Sequence, residues 1–217
     1  MNLEQARFNM VEQQIRPWDV LDQRVLDAIA ALPRDAFVPD DFRQLAYADV
    51  EVPIGEGEVM MAPKLEARML QALRLRPTDR VLEVGTGSGF VTALLARLAA
   101  HVLSVERLEA LSRRAAEQLA AQGIENVTLQ VGDGRSGWPE GGPFDAIAVT
   151  GSLPTLDETL TRQLAPGGRL FVVVGSPPVM EALLLTRVGE ADWARESLFE
   201  TDLPPLRGLP PRERFVF

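Results

Sequence analysis

The run of residues most informative about chemistry is VLEVGTGSGF, Val81–Phe90. A short apolar stretch leads into the glycine-rich segment Gly85–Gly89, and a helical pattern starts directly after it. Glycine lets the backbone turn tightly and lets a ligand approach it closely. The first turn of the following helix adds unpaired N–H groups and the positive end of the helix dipole. These residues predict a ligand site where a strand passes into a helix.

A carboxylate stands at a second informative position. The next apolar stretch, HVLSVE, ends in Glu106, which lies 21 residues after Gly85. In doubly wound proteins, a carboxylate ~20 residues after the glycines accepts hydrogen bonds from ribose hydroxyls. The glycine-rich segment and Glu106 together predict a cofactor that contains a nucleoside.

The spacing of the glycines indicates which class of nucleoside-containing cofactor is bound. A dinucleotide site needs Gly-x-Gly-x-x-Gly, and its third glycine would fall at Phe90. The absence of Gly-Lys-Ser/Thr excludes a P-loop. The observed Gly-x-Gly-x-Gly, with Glu83 two residues ahead, resembles the first motif of S-adenosylmethionine-dependent methyltransferases. Carboxylates suit that cofactor, which carries a sulfonium and an ammonium and no phosphate.

Two later segments extend the predicted cofactor site. VGDG, Val131–Gly134, follows the third predicted strand, and Thr150 lies within FDAIAVTGSLP after the fourth. Loops after parallel strands lie beside the cofactor crevice. Asp133 is therefore expected to accept a hydrogen bond from the adenine amino group, with a simple turn aspartate as the alternative. The predicted cofactor-binding residues are Glu83, Gly85, Thr86, Gly87, Ser88, Gly89, Glu106, Arg107, Asp133, Gly134 and Thr150.

From Asp79 onward, short β-rich stretches alternate with helical patterns. This alternation predicts an α/β fold, a doubly wound and mostly parallel sheet of Rossmann-like methyltransferase type. Two late strands without a helix between them predict an antiparallel hairpin at the C-terminal sheet edge, and LAPGGRL (164–170) is expected to be a helix stop and tight turn. The predicted strands are 80–84, 102–105, 127–131, 146–150, 170–174, 182–188, 197–200 and 213–217, and the predicted helices are 90–99, 108–121 and 155–164.

The residues before Asp79 are predicted to cover this core. Residues 3–32 have apolar side chains at helical spacing, residues 50–63 are expected to be a loop, and a helix is predicted over Glu66–Leu75. Residues 1–78 are thus interpreted as helices with a loop that covers the cofactor and substrate, and residues 79–217 as the cofactor-binding core. No linker separates the two parts, so the chain is counted as one domain.

Composition excludes several classes of function. The chain has 217 residues, a formal charge of −9 and no cysteine. The negative charge argues against nucleic acid or anionic membranes as partners, and the lack of cysteine excludes thiol nucleophiles and thiolate zinc sites. No metal site is predicted. No apolar run of ~18 residues is present, and the polar N-terminus has no signal-peptide pattern, so a cytoplasmic location is expected.

Several segments carry a closer resemblance. AIAALPRDAFVP, AYADVEVPIGEG, DRVLEVGTGSGF, HVLSVERLEALSRRA, VTLQVGDGRSGWP, PFDAIAVTGSLP and LPPLRG follow one another in this order. They resemble the protein-L-isoaspartate O-methyltransferase family over nearly the whole chain. The resemblance implies a methyltransferase fold with added N-terminal helices, and methylation of the free α-carboxylate of isoaspartyl residues as a step toward protein repair. The implied partner is therefore an isoaspartyl-containing protein or peptide.

One loop departs from the family pattern. In the family, PIG-x-G is followed by Thr-Ile-Ser-x-Pro, which covers the cofactor and places its serine hydroxyl against the substrate carboxylate. Here Val59, Met60 and Met61 stand at the Thr, Ile and Ser positions, while the flanking glycines and prolines are kept. No catalytic residue is assigned, because the family serine position is Met61. Lys64, which follows the loop, is interpreted either as a cation for the acceptor or as a surface lysine.

Three functions remain open from the sequence. The first is methylation of isoaspartyl peptides with weakened or rearranged carboxylate binding, since methionine has no donor for a carboxylate. The second is methylation of another acceptor, one with an apolar portion against Met60 and Met61. The third is a non-catalytic cofactor-binding module, which the intact cofactor motifs disfavour.

The glycine spacing generates a direct test of the cofactor. We expect the protein to bind S-adenosylmethionine and its demethylated product, S-adenosylhomocysteine, but not NAD, because Phe90 stands where a dinucleotide site requires glycine. Isothermal titration calorimetry with the three ligands measures this. Tight binding of NAD without binding of either adenosyl ligand would overturn the assignment.

Overall fold

The computed structural model describes residues 2–208. The N-terminal segment is helical, as predicted, but irregular. Asn2 caps the first helix through its side chain, which accepts from the backbone N–H groups of the next turn. The helix then widens into a π-helical turn and tightens into a 3₁₀ turn that ends at Asp19, which has a left-handed backbone. The elements are α1 (Leu3–Asn9), the π-helical turn Met10–Ile15, the 3₁₀ turn Arg16–Trp18, α2 (Gln23–Ala31), and 3₁₀ turns Arg34–Phe37 and Asp40–Leu45.

The segment predicted to be a loop over residues 50–63 contains a β-hairpin instead. Strand β1 (Val52–Gly55) pairs antiparallel with β2 (Glu58–Met60), so that Val52 lies opposite Met60. Gly55, Glu56 and Gly57 all have positive φ angles, which give the chain its tight reversal. The apolar residues of this segment are therefore the buried side of a short two-stranded ribbon rather than part of an irregular loop.

Helix α3 (Pro63–Leu73) begins three residues before the prediction of Glu66. Pro63 occupies its first turn, where a missing N–H has no hydrogen-bond partner to lose. The helix ends because Arg74 adopts a left-handed conformation with φ of 45°. The hairpin and α3 thus follow each other directly, and together they form one side of the site described below.

The predicted doubly wound sheet is confirmed. Its seven strands lie in the order β5-β4-β3-β6-β7-β8-β9. Strands β3 to β7 are parallel, and β8 and β9 add an antiparallel edge, as expected. The sheet elements are β3 (Arg80–Val84), α4 (Phe90–Leu98), β4 (His101–Glu106), α5 (Glu109–Ala121), β5 (Val127–Val131), a 3₁₀ turn (Pro139–Gly141), β6 (Phe144–Leu153), α6 (Glu158–Arg162), β7 (Leu164–Ser176), β8 (Val179–Arg187) and β9 (Trp193–Thr201).

Two predicted elements near the end of the core differ from the structure. The helix expected over 155–164 is only the short α6, which begins after Asp157 caps it at the Thr159 N–H. The segment LAPGGRL does follow a helix end, since α6 stops at Arg162, but it belongs to β7 rather than to a separate turn. The pairing of β7 with β6 is irregular between Leu164 and Arg169, where Gly167 has a positive φ. The strand predicted over 213–217 lies outside the described residues.

Apolar side chains pack on both faces of the sheet. Within β3, Val81 joins a large cluster that also contains N-terminal residues such as Ile15, whereas Leu82 and Val84 join a second cluster on the opposite face. This division follows from the two-residue period of a strand. No helix between residues 2 and 208 is long and apolar enough to cross a membrane.

Candidate active site

A cleft of about 750 Å³ opens at the carboxyl ends of the central parallel strands. Strand order reverses between β3 and β6, and ligands of doubly wound proteins bind at such a point. The hairpin and a C-terminal segment close the other sides. The lining residues are Ile54, Glu58, Val59, Val84, Gly85, Gly87, Val105–Leu108, Leu111, Gly132–Arg135, Thr150, Gly151 and Leu203–Arg207.

The glycine-rich segment lies in the wall of this cleft and leaves no room for side chains. Gly85, Gly87 and Gly89 have φ angles of 98°, 54° and 86°, a region that side-chain-bearing residues rarely adopt. A Cβ on Gly85 would collide with the Thr150 hydroxyl, and one on Gly89 would lie 3.1 Å from the Cβ of Ala115 on α5. The backbone therefore approaches both the cleft and helix α5 closely.

Side chains from the neighbouring strands hold this segment in place. The Glu106 carboxylate, at the end of β4, accepts from the Gly87 N–H at 2.9 Å and from the Leu108 N–H at 3.0 Å. The Thr150 hydroxyl, on β6, donates to the Gly85 carbonyl oxygen at 2.6 Å. Glu106 is thus oriented before any ligand binds, with its carboxylate in the cleft wall.

The loop after β5 forms the far end of the cleft. The Arg135 guanidinium contacts the Asp133 carboxylate at 2.7 Å and holds the pKa of that carboxyl below its usual range. A Cβ on Gly134 would lie 3.2 Å from the side chains of Val84 and Val105, so this loop also packs tightly on the strand ends. Asp133 therefore remains an ionised acceptor at neutral pH.

A C-terminal strap, Leu203–Gly208, passes over the cleft. The Leu206 N–H donates to the Ser152 carbonyl oxygen at 3.0 Å. The guanidinium of Arg107 donates to the Arg207 carbonyl oxygen at 3.0 Å, and that of Arg135 donates to the Gly208 carbonyl oxygen. The Arg207 side chain reaches the hairpin, where it contacts the Glu56 carbonyl oxygen and the Glu58 carboxylate. The strap and the hairpin are thereby joined above the cleft.

A smaller pocket of about 310 Å³ adjoins the cleft. The two share Ile54, Val59, Gly85, Gly87 and Thr150, so a ligand can extend from one into the other. We call this smaller space the acceptor pocket, as a label only. Its remaining lining residues are Met60, Met61, Glu66, Thr86, Ser88, Phe90 and Val91.

Comparison with known proteins identifies the family. The model of the protein-L-isoaspartate(D-aspartate) O-methyltransferase family matches residues 5–196. The chain belongs to this family. The relationship predicted from the sequence motifs is confirmed, and so is the predicted cofactor, since the protein is a methyltransferase that uses S-adenosylmethionine.

Individual relatives support the family assignment over nearly the full chain. A protein-L-isoaspartate O-methyltransferase of Methylorubrum extorquens is 45% identical over 95% of this chain and 88% of its own. One of a Roseiflexus species is 46% identical over 87% of this chain and 86% of its own. A solved structure with the same family name has a TM-score of 0.80 at 26% identity and covers 94% of this chain and 66% of its own.

A second solved structure shares the fold. It is a Plasmodium falciparum chain described under the same family name, in complex with S-adenosyl-L-homocysteine. Its TM-score is 0.80 at 22% identity, and the alignment covers 95% of this chain and 99% of its own.

Those residues predicted to bind the cofactor that line the cleft fit S-adenosylmethionine. The backbone at Gly85 and Gly87 lines the cleft without side chains, as a close-fitting ligand requires. Glu106 and Asp133 both line the cleft with carboxylate acceptors, which would suit ribose hydroxyls and the adenine amino group respectively. The nucleoside part of the cofactor would thus bind in the cleft, and its methionyl part would extend into the acceptor pocket.

Most of the residues predicted from the sequence lie together in these two spaces. Arg107, like Glu106, lines the cleft, and Val59 lines both spaces. Thr86, Ser88, Met60 and Met61 line the acceptor pocket. Glu83, Gly89 and Lys64 line neither of them.

Glu83 is fully buried under the glycine-rich segment. Its Oε2 accepts from the Thr92 hydroxyl at 2.5 Å and from the Ser104 hydroxyl at 2.6 Å, and the Thr86 hydroxyl joins the cluster through Ser104. Burial raises the pKa of Glu83 to about 8. The side chain therefore supports the segment from behind and does not reach the cleft.

Lys64 is engaged at the surface. Its Nζ lies 2.7 Å from the Asp49 carboxylate and 4.5 Å from the centre of the Trp18 ring. Neither Lys64 nor its two partners line the acceptor pocket. The surface interpretation describes its position better than the acceptor interpretation.

Two charged residues of the acceptor pocket were not predicted. Glu66 lines the pocket, and the fully buried Arg34 lies behind it. The sequence does indicate that Glu66 is buried, because residues three and four apart share a helix face. Glu66 falls on the face of Met69, Leu70 and Leu73, all of which are buried. No local pattern connects Arg34 to it.

Removal of the Glu106 carboxylate should weaken cofactor binding. Glu106→Ala loses acceptors for the ribose hydroxyls, and hydrogen bonds to a charged group contribute ~1.5–3 kcal/mol. The dissociation constant for S-adenosylhomocysteine should rise ~10- to 100-fold, as measured by calorimetry, while a melting curve checks the fold. Glu109→Ala, at an exposed acidic residue on α5, is the matched control. Equal affinity of Glu106→Ala and the control would exclude the ribose role.

Glu83 should make stability depend on pH. Between its ordinary pKa of 4.5 and about 8, the native state keeps a proton that the unfolded chain has released. Stability from this group is therefore lost as pH rises through that window. The Tm of Glu83→Gln minus that of wild type should become more positive from about pH 5 to about pH 8. Glu117→Gln, at an exposed position of α5, should show no such trend. A constant difference for Glu83→Gln would contradict the protonated state.

Proposed function

We propose that the protein transfers the methyl group of S-adenosylmethionine to a carboxylate oxygen of isoaspartyl residues in proteins. The observation that carries this proposal is the acceptor pocket, which continues the cofactor cleft beneath the hairpin. The hairpin keeps the family frame of Pro53, Gly55, Gly57 and Pro63. Relatives at 45–46% identity are named protein-L-isoaspartate O-methyltransferases.

The reaction places few demands on side-chain chemistry. S-adenosylmethionine supplies an activated methyl group on a sulfonium. An acceptor carboxylate is ionised at neutral pH, because carboxyl groups have a pKa of ~4, so no general base is needed. A carboxylate lone pair forms the new C–O bond, and the pair of the broken C–S bond returns to sulfur. The protein has to hold the acceptor in line with that bond and keep water away.

The apolar walls of the acceptor pocket exclude water. Ile54, Met60, Met61 and Phe90 are all buried and line it. The hydroxyl of Ser88, also in the lining, accepts weakly from the Phe90 N–H at 3.3 Å, so its hydrogen is free to donate. The Thr86 hydroxyl is already hydrogen-bonded to the Ser104 hydroxyl, at 2.5 Å. Ser88 is thus the side-chain donor best placed to replace the missing hydroxyl of the loop.

A second acceptor class is favoured by the two methionines. Met60 and Met61 both face the pocket and have flexible, polarisable side chains that adapt to apolar groups. An acceptor with an apolar group beside the methylated oxygen would gain contacts here that an isoaspartyl carboxylate does not use. The assay below separates this acceptor class from the isoaspartyl one.

Restoring the hydroxyls should raise isoaspartyl activity. The loss of one hydrogen bond to a charged group costs ~1.5–3 kcal/mol, or ~10- to 100-fold in rate. Wild type should methylate an isoaspartyl peptide slowly, and Val59→Thr with Met61→Ser should increase kcat/KM. The increase should be partial, because donors need placement to within about 1 Å. Methyl ester formation from labelled S-adenosylmethionine is the measurement.

The same peptide with ordinary aspartate is the substrate control, and Val50→Thr, at an exposed position outside both spaces, is the protein control. Fast turnover by wild type without gain in the double variant would show that Met61 is no obstacle. The proposal fails if neither protein prefers the isoaspartyl peptide while both bind cofactor. In that case, labelling of a whole-cell extract distinguishes the second acceptor class from a non-catalytic protein.

A further inference from the structure

Glu66 is the only charged residue that lines the acceptor pocket within the described chain. It lies in the first turn of α3 and is 1% exposed. Its Oε2 contacts the Arg34 guanidinium, whereas its Oε1 is buried and has no hydrogen-bond partner. Buried carboxylate oxygens are normally paired. The free oxygen therefore indicates a ligand group that donates a hydrogen bond.

Arg34 fixes the position of this carboxylate. One of its terminal nitrogens contacts Glu66, and the other donates to the Met61 carbonyl oxygen at 2.6 Å. Its guanidinium carbon also lies 4.8 Å from the centre of the Phe90 ring. One buried side chain thus connects α3, the loop after the hairpin and the start of α4, which are three walls of the pocket. The Glu66 carboxylate is held before the ligand arrives.

The cofactor brings a donor of the required kind to this place. Its nucleoside part belongs to the cleft with Glu106, and the acceptor pocket continues from there past Gly85 and Gly87. The methionyl part carries an ammonium with three N–H donors. We propose that Oε1 of Glu66 accepts a hydrogen bond from the α-ammonium of S-adenosylmethionine and so acts as a cofactor-binding residue. The inference rests on the cofactor and not on the identity of the acceptor.

Other carboxylates near the site are not available for this role. Glu83 also has a buried Oε1 without a hydrogen-bond partner, but its Oε2 accepts from Thr92 and Ser104 and the residue lines neither space. Glu58 lines the cleft, but its carboxylate contacts Arg207. Glu106 accepts from two backbone N–H groups beside the nucleoside region. Glu66 alone combines burial, a free oxygen and a place in the acceptor pocket.

The proposed contact also settles the charge balance of the pocket. A carboxylate alone would repel an anionic acceptor. The guanidinium of Arg34 and the carboxylate of Glu66 cancel, and the ammonium, carboxylate and sulfonium of S-adenosylmethionine sum to one positive charge, so the local sum is one positive charge. Burial raises the pKa of Glu66, and a bound cation next to it favours the ionised form. The pocket thus becomes suitable for an anion once the cofactor is in place.

Ligand binding without turnover tests the proposal. The ligands are S-adenosylhomocysteine, which carries the ammonium, and 5′-methylthioadenosine, which has the same nucleoside and thioether without the amino acid part. Glu66→Gln should raise the dissociation constant of S-adenosylhomocysteine about tenfold or more and change that of methylthioadenosine less than about twofold. A third ligand is the S-aminopropyl analogue, which keeps the ammonium and lacks the carboxylate. Glu66→Gln should weaken its binding by the same factor as it weakens that of S-adenosylhomocysteine.

Two further variants protect the test from a folding defect. Asp79→Asn breaks a different ion pair, with Arg169 at 2.6 Å, which lies before β3 and thus at the opposite end of that strand from Gly85, and it should not alter the ratio of the two dissociation constants. Arg34→Leu with Glu66→Leu replaces the pair by apolar groups, which proteins often tolerate, and should lower the preference for S-adenosylhomocysteine as Glu66→Gln does.

Three results would overturn the proposal. In the first, Glu66→Gln weakens both ligands equally, as a purely structural role requires. In the second, it weakens neither. In the third, only the KM of a peptide acceptor changes, which would assign the free oxygen to the acceptor. The first two results are measured by binding alone and do not depend on whether isoaspartyl peptides are the substrate, so failure here is distinct from failure of the proposed function.

Discussion

The turn at Gly85 must pass so close to β6 that a Cβ there would collide with the Thr150 hydroxyl. This close approach is the constraint on which the site depends. It puts the Gly85 carbonyl oxygen within hydrogen-bond distance of Thr150 and the Gly87 N–H within reach of Glu106. Because β4 and β6 lie on opposite sides of β3, the segment is held from both sides. The cleft and the acceptor pocket then meet along this single stretch of backbone.

The parts of the site that the sequence predicts are those set by local rules. Glycine spacing, strand period and the position of Glu106 at a strand end are visible in short windows, and the structure gathers these residues around one cleft. Glu83 was predicted to bind the cofactor from its place in the motif alone, whereas the two-residue period of β3 determines which way its side chain points. Leu82 and Val84 point to one face of the sheet, so Glu83 must point to the other, toward Thr92 on α4.

The parts that could not be predicted depend on contacts between distant residues. Arg34 and Glu66 are 32 positions apart, and nothing in either segment indicates that they pair. The hairpin was missed because its strands are only four and three residues long, too short for a strand pattern. Its turn residues were recognised, but pairing depends on the positive φ angles of Gly55, Glu56 and Gly57, which composition alone does not specify.

The C-terminal strap has a consequence for timing. Two of its carbonyl oxygens accept hydrogen bonds from Arg107 and Arg135, which lie on the loops after β4 and β5, and Arg207 connects it to the hairpin. Hydrogen bonds between Ser152 and the strap add to these contacts, so the strap would open only when several bonds break together. Any ligand that passes beneath it must wait for that opening. Residence time would then depend on these strap contacts, and turnover would be limited by departure rather than by bond formation.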